Sequence, residues 1–206
     1  MPSETFFRLS ETKQERIIEA IKEEIASSPY ENFSIGAVIR QCGISRGSFY
    51  QYFSNKEDIY TFLIHEYQQH VFRHMKETLQ NNGGDFFEMV EKTYRFAVRM
   101  LCYKDSRSFR RNLFCNMRLF EMLWEKSGYA EESLRNVSVL HEYINKDKLL
   151  VNSDEEMAML FDICMVTALK DAAGIFMAGN NEQVTLNAFL NKLALLRRAF
   201  EKIPEA

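Results

Sequence analysis

Proline is nearly missing from this 206-residue chain, which has only Pro2, Pro29 and Pro204. Nothing between Tyr30 and Ile203 therefore lacks the backbone N–H that a helix needs. Alternating apolar and polar runs, the mark of half-buried strands, are also scarce. Both shortages argue against a sheet and predict an all-α protein. The four cysteines, Cys42, Cys102, Cys115 and Cys164, include no C-x-x-C pair, so neither a zinc ribbon nor a dithiol centre is spelled out. No run of about 18 uncharged apolar residues is present to span a bilayer. The start at Pro2-Ser3-Glu4 is polar and unlike a signal peptide. A cytoplasmic protein with reduced, buried thiols and no membrane partner is expected.

Catalytic signatures are missing as well. His65-Glu66 opens like a zinc-peptidase motif, but Gln69 stands where its second histidine belongs. No glycine-rich phosphate loop or nucleophile elbow occurs. His70 and His74, four apart, could chelate a metal with Glu66 or Asp85, yet such pairs are common by chance. No catalytic residue, metal or cofactor is expected, so the chain is not read as an enzyme.

What is present centres on Phe33–Lys56, FSIGAVIRQCGISRGSFYQYFSNK. Ser34 is a good N-cap, and Ile35, Val38 and Ile39 recur at helical spacing. Gly43 supplies the left-handed residue that stops a helix. Ser45 then caps a second helix, on which Phe49, Tyr52 and Phe53 fall to one side and Arg46, Gly47, Tyr50 and Gln51 to the other. A cation, a phenol, an amide and a glycine on one face suit a helix that enters a DNA major groove. The formal net charge is −3, but from Asn32 to Lys56 the ionisable side chains are Arg40, Arg46 and Lys56, with no Asp or Glu. The window is locally cationic on an acidic chain.

The order Phe33-Ser34-Ile35, Ile39, Cys42-Gly43-Ile44-Ser45-Arg46-Gly47-Ser48-Phe49-Tyr50-Gln51-Tyr52-Phe53 and Lys56-Glu57 resembles the N-terminal DNA-binding domain of TetR-family transcriptional regulators. Gly36 and Cys42 depart from the family's usual small residues, commonly alanine, and both still fit a tight helix contact. The chemistry assigns Arg46 to guanine or a phosphate, Gln51 to adenine or a phosphate, and close backbone approach to Gly47. Ser34, Ser48, Tyr50, Tyr52 and Lys56 are expected as phosphate anchors, with Ser45 beside them. Tyr52 lies nearer the core side by its angle. Lys56 is placed at the N-terminus of the next helix, where free amides favour a phosphate.

Along the chain, residues 1 to about 10 read as a loose arm. Thr12-x-x-Glu15 and Ser54-x-x-Glu57 read as capping boxes for a bracing helix and a long helix to about Gln80. In the family such a long helix is a connecting rod. Asn81-Asn82-Gly83-Gly84 reads as a linker. A helix-turn-helix domain over 1–54 (motif about 34–53) and a helical effector-binding and dimerisation domain over 55–206 follow, about nine helices in all.

Helices near 85–103, 106–126 and 130–146 carry many aromatic and Met side chains. These are core residues in the first instance, and also suit a pocket for an apolar or aromatic effector. Phe86, Met89, Phe96, Met100, Phe114, Met117, Phe120, Phe161 and Met165 are the candidates. Two last helices, about 154–178 (opened by Ser153-x-x-Glu156) and to about 203, carry broad apolar faces. Leu160, Cys164, Ala168, Ala172, Ile175, Leu186, Phe189, Leu193, Leu196 and Phe200 are expected in a homodimer interface formed as a four-helix bundle, as the family uses.

The resulting reading is a homodimeric, ligand-responsive regulator, most often a repressor in such families. It would read a palindromic double-stranded operator with recognition helices about 34–36 Å apart or a multiple of that. Two rivals remain: a DNA-binding regulator without a small-molecule effector, and an all-helical enzyme that carries a helix-turn-helix.

Overall fold

The computed structural model describes residues 1–102, 107–114, 138–177 and 181–202, which form helices joined by short turns. An isolated bridge between Leu149 and Glu201 is the single piece of extended pairing among them. The described residues fall into two compact units. The first holds 1–68 and 107–114; the second holds 69–102, 138–177 and 181–202.

The first unit begins with a difference from the sequence reading. Residues 1–10 are not a loose arm: a short helix α1, Glu4–Phe7, docks by Phe6, which is 1% exposed. Its ring meets those of Tyr52, Phe53 and Phe62 at centroid distances of 6.3, 5.2 and 5.9 Å. Burying one such ring stabilises by about 1.5–3 kcal/mol, enough to order a segment this short. The bracing helix α2, Glu11–Ser27, starts one residue before Thr12, with Ser10 at the N-cap position. It buries Ile17, Ala20, Ile21 and Ile25. A 3₁₀ turn, Tyr30–Asn32, leads to α3, Ile35–Cys42, and α4, Arg46–Tyr52. Gly43 joins these at φ 62°, and the amide of Ile44 reaches back to the carbonyl of Ile39, the helix stop expected of that glycine.

The long helix α5, Lys56–Asn81, opens on a capping box one residue later than expected. Asn55 Oδ1 accepts from the Asp58 amide at 2.9 Å, and Asp58 accepts from the Ser54 amide at 3.0 Å. Ser54 and Glu57 thus yield to Asn55 and Asp58, and Glu57 accepts a 2.8 Å hydrogen bond from the Tyr30 hydroxyl instead. α5 contributes residues to both units, up to Gln68 to the first and from Gln69 to the second. Helix α7, Arg107–Phe114, belongs to the first unit and packs on α2. There the Asn112 amide donates to the carbonyls of Ile25 (2.8 Å) and Ser28 (3.3 Å).

In the second unit, the stretch read as a linker is a packed turn. Gly83 and Gly84 both have positive φ, and Gly84 is buried against the backbone of 143–145, where its carbonyl accepts from the Asn145 amide at 2.9 Å. Asn82 and Asp85 close the corner and start α6, Phe86–Cys102. Helices α8, Asp154–Met177, and α9, Glu182–Phe200, pack on α6 and on each other. Ser153 caps α8 by accepting from the Glu156 amide at 3.1 Å, as its spacing predicted. The core includes a Tyr94–Phe189 stack with ring centroids 3.8 Å apart.

Candidate nucleic-acid interface

The helix-turn-helix is assembled from serines that do two jobs. Ser34 Oγ accepts from the Ala37 amide at 3.2 Å and Ser45 Oγ from the Ser48 amide at 3.0 Å, fixing the starts of α3 and α4. The hydroxyls of Ser45 and Ser48 are 2.9 Å apart and hydrogen-bonded to each other. A capping bond of this sort is worth about 1 kcal/mol. Ser34 and Ser45 remain on the exposed side, where a hydroxyl can also donate to a phosphate oxygen.

On α4 the two faces divide cleanly. Arg46, Gly47, Tyr50 and Gln51 are exposed, and Tyr50 keeps 42% of its surface open. The Arg46 guanidinium carbon lies 5.6 Å from the Tyr50 ring centroid, so cation and phenol occupy one patch. Behind them Phe49 and Phe53 are wholly buried. Tyr52 is with them at 5% exposure, packed on Phe6 with the Lys13 ammonium 5.8 Å from its ring. Its ring therefore serves the core, in line with its angle on the helix.

Lys56 is half-buried, with its Nζ 4.2 Å from the Tyr30 ring centroid and donating to the Tyr30 carbonyl at 3.3 Å. The motif did not mark Tyr30, and no local signal points to it. Carboxylates also approach the window from outside it. Glu24 on α2 accepts from the Ser34 amide at 3.0 Å, and Glu23 accepts from Gln41. The cationic stretch is thus flanked by acid in space as well as in sequence, where Glu31 and Glu57 adjoin it.

The described effector candidates fall in both units. Phe86 and Met89 are buried in the second unit, with Phe86 6.3 Å from Phe161. Phe96 stacks on His74 at 4.3 Å, which commits one of the paired histidines to packing. Met100 and Met165 are half-buried. Phe114 belongs to the first unit, against Tyr67 at 4.7 Å. Met117 and Phe120 lie outside the described residues. An open crevice of about 470 Å³ between α8 and α9 is lined by Lys170, Asp171, Gly174, Asn181, Val184, Thr185 and Ala188, none of them among those nine.

The residues expected in a dimer interface divide by their burial within the single chain. Leu160, Cys164, Ala172, Ile175, Phe189 and Leu193 are buried within the chain itself, and Ala168, Leu186, Leu196 and Phe200 are half-buried. The apolar side chains left open are Met159, Ile163, Val166 and Leu169 on α8 and Val184 and Leu195 on α9. Burial pushes the Cys164 thiol up to about 12 and raises that of Cys42, so neither is poised as a thiolate. Among the described residues no three His, Cys, Asp or Glu side chains gather as a metal would require, and no helix is long and apolar enough to cross a membrane.

Comparison with known proteins shows the family. Residues 17–61 match the model of bacterial regulatory proteins of the tetR family, and 85–198 match the tetracyclin repressor-like C-terminal domain. The chain belongs to the TetR family. Among curated relatives, the fatty acid metabolism regulator protein of Bacillus subtilis (strain 168) is 34% identical over 71 residues, 34% of this chain and 37% of that protein. The match thus spans little more than a third of that regulator's length. The uncharacterised HTH-type transcriptional regulator YdgC of the same organism is 23% identical over 171 residues, 79% of this chain and 86% of YdgC. Among solved structures, Bacillus subtilis FadR in complex with stearoyl-CoA aligns at TM-score 0.59 and 19% identity, covering 88% of this chain and 96% of FadR. The protein is a TetR-family transcriptional regulator, with an N-terminal helix-turn-helix domain and a helical C-terminal domain.

Proposed function

We propose that this TetR-family regulator is a cytoplasmic, homodimeric repressor that binds a palindromic operator and is released by an apolar effector held in its C-terminal domain. The observation that carries the reading is the division of α4, with Arg46, Tyr50 and Gln51 open to solvent over a buried Phe49 and Tyr52. Arg46 and Gln51 then read base edges while Ser34, Ser48, Tyr50 and Lys56 hold phosphates and set register. The domain boundary falls near residue 54, and no reaction is assigned to the chain.

Dimerisation uses the open stripe of α8 and α9, Met159, Ile163, Val166, Leu169, Val184 and Leu195, instead of the buried stripe expected from sequence. The effector is of the long acyl-chain kind. The relative solved with stearoyl-CoA supports that class, as does the aromatic and Met content of this C-terminal domain. Effector binding lowers operator affinity only to the extent that it favours one arrangement of the two recognition helices over the other.

A duplex selected by the protein from a randomised pool provides the test. In a gel shift, stearoyl-CoA is expected to weaken binding of that duplex at least tenfold, with palmitate and free coenzyme A as controls. Unchanged affinity would sink the effector reading and leave DNA recognition standing. Failure to select any duplex would sink both.

A further inference from the structure

Ser3 sits where two helices meet. Its backbone N–H donates to the Tyr52 carbonyl at 2.9 Å, and its hydroxyl donates to the carbonyl of Gln51. It is also the N-cap residue of α1, which is pinned by the buried Phe6. Helix α4 has seven residues, so its last carbonyls find no partner within the helix, and its own hydrogen bonds cannot hold it in place. Ser45 secures its first turn from within the motif. Ser3 secures its last turn from 48 residues away in sequence.

We propose that Ser3 is a positioning residue for DNA recognition, resting on the reading of α4 as the recognition helix. By fastening the C-terminal end of α4 to the anchored α1, it sets the tilt at which Arg46, Tyr50 and Gln51 meet a duplex. Base contacts need donor and acceptor aligned, whereas phosphate attraction tolerates a few degrees of tilt. Loss of the Ser3 hydroxyl therefore acts on discrimination more than on general affinity for DNA.

The test uses the full chain, a duplex it selects from a randomised pool, and a scrambled duplex of the same length. Wild type, Ser3→Ala and Ser3→Thr are compared by equilibrium binding and by thermal melting. Ser3→Ala keeps the backbone bond and the Phe6 anchor. It is expected to weaken the selected duplex about 3–10-fold by misaligning the base contacts, while the scrambled duplex stays within about twofold and Tm falls by no more than the roughly 4 °C that one lost internal hydrogen bond accounts for. Ser3→Thr, which keeps the hydroxyl, is expected to restore selected binding. The proposal is overturned if Ser3→Ala binds the selected duplex as wild type does. It is also overturned if both duplexes and Tm fall together, which marks a merely structural role. Wild type selecting no duplex overturns this proposal together with the reading of α4.

Discussion

Helices α4 and α8 differ in how far helical periodicity defines a single inner side. In α4 the apolar residues Phe49 and Tyr52 are buried and the polar Arg46 and Gln51 are exposed. One stripe was available, so the inner side was unambiguous. In α8, apolar residues run around the helix. Met157, Leu160, Phe161, Cys164 and Ile175 face the chain's own core, while Met159, Ile163, Val166 and Leu169 stand open. A helix that is apolar on two sides has two burial demands, and periodicity does not say which one the chain meets by itself.

The largest expected effect tests how tightly the second unit is closed. A Cβ at Gly84 would lie 2.6 Å from the Asn145 amide nitrogen and 2.7 Å from the Tyr143 carbonyl oxygen, at a φ of +76°. Gly84→Ala should cost about 3 kcal/mol or more, read as a drop in Tm of at least about 6 °C by circular dichroism. A melt unchanged by this substitution would mean that the turn behaves as the slack linker read from the sequence.

Next comes the open stripe of α8. Ile163→Asp or Val166→Asp should halve the mass seen by sedimentation while leaving helical content intact, since both side chains are exposed in the single chain. Leu160→Asp should unfold the second unit instead, because it buries an unpaired charge. Should Leu160→Asp give a folded monomer, the two faces of α8 have been assigned the wrong way round.

On α4 the matching substitutions separate binding from folding. Arg46→Ala should weaken a selected duplex by about tenfold or more, a loss within the 1–3 kcal/mol of one good base or phosphate contact, with Tm unchanged. Tyr52→Ala should do the reverse, melting the unit before binding can be measured. Equal loss of binding in a folded Tyr52→Ala protein would restore it to the DNA-contacting face.

The smallest effects concern positions with room or without reactivity. A Cβ at Gly36 meets Ser34 Oγ at 3.6 Å and the Arg40 side chain at 3.7 Å, ordinary contact distances. Gly36→Ala should therefore raise stability by up to about 1 kcal/mol, or about 2–4 °C in Tm. Cys42 and Cys164 should stay unmodified by iodoacetamide at pH 8 in the native protein, as mass spectrometry of its peptides would show. Burial has raised both thiols, so little thiolate is present until the pH approaches those raised values.

Much of the helix-turn-helix was legible in sequence because its signals are local. Ser34 and Ser45 as caps, Gly43 as the stop and the two faces of α4 all depend on neighbours within a few residues. The same holds for Ser153 at the start of α8. The exceptions come from choices between near-equal local options: Asn55 and Asp58 cap α5 where Ser54 and Glu57 had the same spacing.

The sequence by itself determined that the described residues are helical, where α3, α4 and α8 begin, and which side of α4 faces outward. Only the tertiary structure decided that residues 1–10 fold back onto α4, that Lys56 rests on Tyr30, and that Gly84 is wedged against 143–145. It also decided which face of α8 the chain keeps for itself. The physical reason is range. Caps and periodicity act over one or two turns, whereas these contacts join residues brought together only when apolar surface from distant segments is buried.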